Sequence, residues 1–476
     1  PISRANYARA PLAELPPEQF RTLGGVSFPG VNGQPRGLWT SDKNNFAPRF
    51  GLAYQASRRM VVRSGYGIFY GLMGIDRLDV NQGGFNQITP LVASLDSGVT
   101  FRADLSNPFP DGIQAASGAS LGLLTQLGKG ATFFHEYPLN HYMQRWTFSI
   151  QREVGFRTLI ETTYVGNRGT HLNVNRQFNP TPRQYLSTSA TRDQTAIDFL
   201  GGQITNPFYG IPEFFGSNLG TTRISRSQLL KPYPHFTGIT ANVPAGYSYY
   251  HSMQLRAQKR FTRGSSFQVS YTWSKFMEAT SYLNPTDDRP EKVISNQDHP
   301  HRFVISGICE LPVGRGKALF GGARGLLQNL IGGWQMQGWY EGQAGQALGF
   351  GNTIFYGDLH DIPLPVSERS ITRWFNVDAG FERNSGRQPG QNIRALSTRF
   401  SGVRGDGINN FDLSVFKTFR LTERWKAQFR AESYNALNHA QFANPNTTPT
   451  STAFGAVTAE KGHGQRQMTF AVKLLF

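Results

Sequence analysis

The sequence predicts an all-β fold, a transmembrane antiparallel β-barrel, on three observations. Apolar and polar residues alternate with a period of two over stretches of about ten residues. The connections between these stretches are alternately short and long. Mean hydropathy is only −0.40 although 13% of residues are aromatic, and no apolar run reaches the roughly 18 residues of a membrane helix. Lipid-facing and lumen-facing positions average out along a barrel strand, so a wall of this kind carries the hydropathy of a soluble protein.

Eleven strands are expected, at 48–55, 59–70, 142–154, 157–167, 248–261, 265–277, 301–311, 332–349, 408–420, 424–437 and 466–476. The first two read as a hairpin about Ala56-Ser57-Arg58, the next two as one about Gly155-Phe156. In the third, Trp146, Phe148 and Ile150 alternate with Thr147, Ser149 and Gln151. The pair joined by Thr262-Arg263-Gly264 sets Met253, Leu255 and Ala257 against Gln254, Arg256 and Gln258, then Phe267, Val269, Tyr271 and Trp273 against Gln268, Ser270, Thr272 and Ser274. A connection of middling length, 312–331, separates the next pair. Phe411, Leu413, Val415 and Phe419 stand opposite Asp412, Ser414 and Thr418. After Leu421-Thr422-Glu423, Trp425, Ala427, Phe429 and Ala431 alternate with Lys426, Gln428, Arg430 and Glu432. The C-terminus ends the series with Met468, Phe470, Val472, Leu474 and Phe476 on one face.

The long connections, 71–141, 168–247, 278–300, 350–407 and 438–465, hold more than half of the chain. Compact soluble domains rarely carry structureless loops beyond about 15 residues. Outer-membrane barrels do carry long outer loops and short periplasmic turns. Tyr70, Tyr142, Tyr164, Trp273, Trp334 and Trp425 fall near strand ends, where aromatic girdles sit. The alternative is a secreted or surface all-β binding protein, such as a sandwich or propeller, with its apolar face turned inward; no fixed-period repeat supports it. An odd strand count cannot close an antiparallel barrel. The chain is therefore read as 1–476 of partial barrel, the C-terminal part of a longer protein. It opens Pro1-Ile2-Ser3-Arg4 with no secretory leader, as expected if a leader was removed or the sequence starts inside a protein.

Lys and Arg number 48 against 31 Asp and Glu, a net charge of +17. The cations are scattered, with Arg58-Arg59 the densest pair, and no nucleic-acid-binding motif accompanies them, so no nucleic-acid partner is expected. A single cysteine, Cys309, excludes an internal disulfide and a cysteine-rich zinc site.

Several stretches carry a resemblance. They are Asn45-Phe46-Ala47-Pro48-Arg49-Phe50-Gly51, Arg63-Ser64-Gly65-Tyr66-Gly67-Ile68-Phe69-Tyr70-Gly71, Gln144-Arg145-Trp146, and Tyr164-Val165-Gly166-Asn167-Arg168-Gly169-Thr170-His171-Leu172. Tyr271-Thr272-Trp273-Ser274-Lys275, His299-Pro300-His301-Arg302-Phe303, Gly333-Trp334-Gln335, Arg430-Ala431-Glu432 and Tyr434-Asn435-Ala436-Leu437-Asn438-His439 follow. In combination the sequence resembles the TonB-dependent outer-membrane receptors, in particular their Oar-like branch. The resemblance implies a barrel of about 22 strands closed by a plug, of which no plug is recognisable here. It also implies outer-membrane localisation, ligand capture by the loops and energised uptake through the lumen. The implied partners are outer-membrane lipid, the barrel-assembly machinery, TonB through a region N-terminal to this segment, and a small ligand such as a siderophore or oligosaccharide.

Candidate residues follow from the same pattern. Arg256, Arg260, Lys426 and Arg430 are expected to line a polar lumen, because each alternates with apolar neighbours. Phe476, with Leu474, Val472 and Phe470, matches the terminal stripe that the assembly machinery reads in the resembled family. His299 and His301 supply only two potential metal ligands, so no metal or other cofactor is expected. Gly166-Asn167-Arg168-Gly169 reads as a turn, not a phosphate loop, since no helix follows. Asp287, Asp288, Asp358 and Asp361 read as solvated loop carboxylates, and Cys309 as a small apolar-face residue beside Phe303, Ile305 and Leu311. No catalytic constellation stands out, so no enzyme activity is expected.

Overall fold

In the computed structural model the main sheet holds thirteen strands: eleven pair antiparallel strictly in chain order, and two short ones join them at the loop end, Gly130–Thr132 in parallel with Gly238–Thr240 and Val293–Ile294 antiparallel to Met277–Glu278. The structure describes the chain except residues 38, 72–81, 88, 90, 92–98, 102, 111, 114, 263 and 463. Arg263 of the short turn at 262–264 and parts of the loop 71–141 thus lie outside the described residues. The strands are β1 (Arg49–Ser57), β2 (Met60–Tyr70), β3 (Tyr142–Val154), β4 (Thr158–Gln177), β5 (Gly238–Thr262), β6 (Ser265–Ala279), β7 (His301–Glu310), β8 (Trp334–Gln343), β9 (Ile408–Arg420), β10 (Lys426–Tyr434) and β11 (Gln467–Leu475). Among the described residues the outer edges of β1 and β11 pair with nothing. Ten antiparallel steps leave these two strands running the same way, so they cannot join each other by antiparallel pairing.

The pairing register carries one face through all eleven strands. Leu52, Ser64, Phe148, Tyr164, Met253, Trp273 and His301 follow each other across the ladder. Further along, Ile305, Tyr340 and Phe411 are neighbours, as are Ala431 and Phe470. This apolar side is bare: Phe50, Leu52, Phe148, Ile150, Leu255, Ile305, Phe470 and Val472 are all exposed. A soluble sandwich would bury such a stripe. Here these side chains form a belt that the described residues leave uncovered. Among the described residues no helix is long and apolar enough to cross a membrane, so a crossing by these residues belongs to the strands.

Aromatic groups with satisfied polar ends mark the loop end of the belt. The Tyr164 hydroxyl lies 2.8 Å from His251 Nδ1, and Tyr271 repeats the contact with His301 at 2.8 Å. Trp146 lies flat over Gly166, where a β-carbon would sit 2.2 Å from the indole nitrogen. Only glycine leaves room for the ring there. At the turn end, Trp425 packs on Phe476 with ring centroids 5.3 Å apart.

Three expectations need correction. The segment Gly166-Asn167-Arg168-Gly169 is not a turn but the middle of β4, paired with Ser248 to His251. Strands β4 and β5 run about ten residues further than expected, to Gln177 and from Gly238. At roughly 3.3 Å per residue they overshoot a hydrocarbon core of about 30 Å, so their far ends stand clear of it. The predicted strand 332–349 also stops earlier, at Gln343.

The long connections are folded rather than structureless. Loop 178–237 and the N-terminal segment share a core of Tyr7, Phe20, Leu200, Phe208, Phe214 and Leu229. Loops 344–407 and 435–466 share a second, around Phe350, Ile362, Trp374, Phe375, Phe381 and Phe454. Polar bonds join the loops into one layer. The Ser187 backbone pairs with Gln391 and Ile393, Arg183 meets Asp287 at 2.9 Å, and Glu291 accepts the hydroxyls of Ser397 and Thr398 at 2.6 and 2.7 Å.

Candidate functional site

The side of the sheet opposite the belt is polar, and β-pleat alternation puts it there. Gln254, Arg256 and Gln258 of β5, Gln268 and Ser270 of β6, Gln337 and Glu341 of β8, and Gln428, Arg430 and Glu432 of β10 share it. The groups satisfy each other both along and across strands. Arg256 donates to Gln258 at 3.1 Å and to Gln268 at 3.0 Å, and Arg63 donates to Gln151 at 2.7 Å. Arg302 pairs with Glu341 at 2.8 Å. Arg430 pairs with Glu432 at 2.9 Å and lies 4.9 Å over the Phe416 ring. Such lateral networks hold long side chains against the wall and keep the surface wettable.

Arg256 and Arg430, inside their strands, and Lys426, at the start of β10, lie on this polar side. Arg260 continues the row of Arg256, at the register shift between Lys259 and Thr262. Sequence reasoning passed over Arg63, Arg145, Glu161, Arg302 and Glu341, although the same two-residue parity reaches each of them. Arg63, Arg145, Ser149, Glu161, Gln254 and Arg256 line a cavity of about 600 Å³. Nearer the loops, Phe69, Met143, Asn167, Tyr250 and Phe276 line a second of about 600 Å³. The Asn167 side-chain oxygen is buried there without a hydrogen-bond partner.

At the loop end of the wall, a third cavity of about 640 Å³ is enclosed by residues of the segment 24–40, residues 131–136, the ends of loop 178–237 and Ile239 of β5. Phe28, Trp39, Phe133, Phe134, Phe178 and Tyr233 line it. His235 fastens this layer, with Nε2 3.1 Å from the Gly24 carbonyl and Nδ1 buried without a partner. Burial lowers the His235 pKa and outweighs the opposite pull of that carbonyl. The ring is therefore neutral at pH 7, with the proton on Nε2 donated to Gly24. The unfolded chain binds the extra proton more readily, so His235 contributes stability above about pH 6.5, and that stability fades as pH falls. Protection factors in 21–36, taken against the slower intrinsic exchange at lower pH, should fall between about pH 7.5 and pH 5. In His235→Gln, whose amide can still donate, that pH-dependent loss of protection should vanish.

The remaining candidates take ordinary structural places. His299 Nδ1 lies 2.8 Å from the Ala344 carbonyl and His301 bonds Tyr271, so the two imidazoles make no shared site. No group of three metal-ligating side chains occurs among the described residues. Asp287 is taken by Arg183 and Asn284, and Asp358 by the backbone and ring of His360. Cys309 sits half-buried on the apolar side, opposite Met336. Phe470, Val472 and Leu474 are exposed along β11, and Phe476 is 94% exposed.

Comparisons with known proteins follow this geometry. Among solved structures the chain is similar to the outer membrane transporter YddB from Escherichia coli, at 10% identity and a TM-score of 0.39, over 90% of this chain and 40% of that one. It is likewise similar to BauA, the ferric preacinetobactin receptor from Acinetobacter baumannii, at 9% identity and a TM-score of 0.39, over 90% and 36%. The FrpB iron transporter from Neisseria meningitidis gives 10% and 0.38, over 90% and 39%. The chain thus spans well under half the length of these structures. No curated protein matches it. A family model described as an outer membrane beta barrel domain matches residues 4–469, nearly the whole eleven-stranded wall and its loops. The chain belongs to the outer membrane beta barrel domain family, and its wall stands in an outer membrane.

Proposed function

We propose that this chain is the C-terminal barrel portion of a TonB-dependent receptor of the Oar-like branch, serving ligand uptake and not catalysis. The observation that carries the reading is the division of one continuous sheet into a bare apolar belt and a polar, hydrogen-bonded opposite side. The folded loop layer makes the first contact with a small ligand, such as a siderophore or an oligosaccharide. Arg256, Arg260, Lys426 and Arg430 then belong to the wall of a hydrated passage, together with Arg63, Arg145 and Arg302. Both free edges call for an odd number of further strands to complete an even, closed barrel, and about 22 in all fits that parity. Plug and TonB contact belong to a region outside these residues. The test is uptake of labelled ferric chelates and oligosaccharides by cells making the intact protein, with and without TonB. Accumulation of one class that disappears with TonB supports the reading. Uptake unchanged without TonB, or none across the panel, contradicts it.

The exposed end of β11 is read by the barrel-assembly machinery in the same proposal. Removing Phe476 should lower the amount of heat-modifiable, folded protein in the outer membrane several-fold, while total synthesis is unchanged. Equal folded amounts would show that Phe476 is only one more lipid-facing ring beside Trp425.

A further inference from the structure

The connection between β7 and β8 lies at the short-turn end of the wall, and it contains a helix, Gly325–Ile331. Its Leu326, Leu327 and Leu330 share one stripe by helical spacing and are 82%, 51% and 67% exposed. Leu319 and Phe320, just upstream, are exposed as well. The helix is not a dangling turn. Gln328 points the other way and accepts the Arg315 backbone N–H at 2.6 Å. The C-terminal carbonyls are anchored to the apolar side of the sheet. Trp334 Nε1 donates to the Leu330 carbonyl at 2.8 Å, and Lys417 Nζ donates to the Asn329 carbonyl. Lys417 faces Trp334 and Phe429 in the ladder, which puts its charge among the belt residues. A lone ammonium in an apolar belt is unfavourable, unless it meets the free carbonyls and negative dipole end of a helix.

The helix therefore lies on the lipid side of the wall, at the end that short turns mark as periplasmic. Its leucine stripe continues the belt. Arg315 and Arg324 flank it, exposed and without an ion pair among the described residues, while Lys317 pairs with Glu310 at 2.9 Å. We propose that 319–331 is an interfacial anchor bound to glycerophospholipid of the periplasmic leaflet. Leu326, Leu327, Leu330 and Phe320 enter the acyl-chain boundary, and Arg315 and Arg324 contact phosphodiesters. The argument for lipid is continuity with the membrane-facing belt together with this charge complementarity, and it does not depend on what the barrel transports.

The test uses the full chain with Cys309→Ala and one new cysteine, Leu326→Cys, Leu330→Cys or the turn control Glu423→Cys, each labelled with bimane. The protein is reconstituted in vesicles of phosphatidylethanolamine and phosphatidylglycerol containing a brominated lipid. All three positions are exposed, and heat-modifiable mobility on gels confirms the folded wall. Bimane at 326 and 330 should be quenched by the brominated lipid at least about twofold more than at 423 and be protected from aqueous iodide. Arg315→Gln with Arg324→Gln should reduce that lipid quenching in these vesicles and leave it unchanged in phosphatidylcholine vesicles. Iodide quenching at 326 equal to that at 423 overturns the proposal. Protection from both quenchers also overturns it, since it would assign the leucine stripe to a protein partner or a second copy.

Discussion

Replacing Arg404 with alanine is expected to release the loop layer while leaving the wall intact. Asp298 is fully buried, and its carboxylate accepts Arg404 Nη2 at 2.6 Å and the Phe276 backbone N–H at 2.6 Å. Arg404 also donates to the carbonyls of Asp298 and Gly345 at 2.9 and 3.0 Å, and to Ser401 at 3.0 Å. One guanidinium thus ties loop 280–300, the end of β8 and loop 344–407 to the top of β6. Alanine leaves a buried carboxylate without its cation and three carbonyls without the Arg404 donors, a loss of about 3–5 kcal/mol. Asp298→Asn with Arg404→Ala should recover part of it, because the stranded charge goes. Hydrogen exchange should show deprotection of 280–300 and 395–407 in Arg404→Ala, with β7 to β10 unchanged. Unchanged protection of both loops would mean that the neighbouring pair of Arg399 and Glu278, at 2.6 Å, holds the layer alone.

Truncating Phe208 to alanine should have a comparable effect on the other core. Phe208 has no exposed surface; it stacks on Phe214 at 4.7 Å and meets Phe20 at 6.2 Å. Phe20 in turn stacks on Tyr7 at 4.1 Å, so the ring joins the N-terminal segment to loop 178–237. The loss of one buried ring is about 3–5 kcal/mol. A local core of this size can hardly absorb that, so residues 1–20 should become sensitive to protease. Protection equal to the parent would mean that the Asn6 side chain, bonded to the Pro207 carbonyl at 3.0 Å, suffices to hold the segment.

Where alternation is uninterrupted, the sequence located strands within a few residues, as in β3, β9 and β10. Parity then assigned sides without further information: Arg256 and Arg430 fall on the polar side because Leu255 and Phe429 cannot. The upper halves of β4 and β5 were hidden for a local reason. His171 adopts a positive φ of 56°, and the register shifts on either side of Leu172. Pro244 and Ala245 bulge out opposite, between Val243 and Gly246. A bulge interrupts period two, and Pro and Gly read as turn signals. The loop cores were illegible for another reason. Phe350, Phe375, Phe381 and Phe454 meet across about a hundred residues, and irregular spacing leaves no periodic trace of contacts closed by tertiary structure. Paired networks such as Arg302 with Glu341 lie between, since parity gives the side but only the register gives the partner.

The account depends most on which side of the sheet meets lipid. The direct measurement is a nitroxide scan from Ala427 to Glu432 in reconstituted Cys309→Ala protein, reading collision with oxygen against collision with a water-soluble nickel chelate. Positions 427, 429 and 431 should favour oxygen and 428, 430 and 432 the nickel chelate, with a period of two. The opposite phase, or nickel access at all six positions, would contradict a membrane-facing belt.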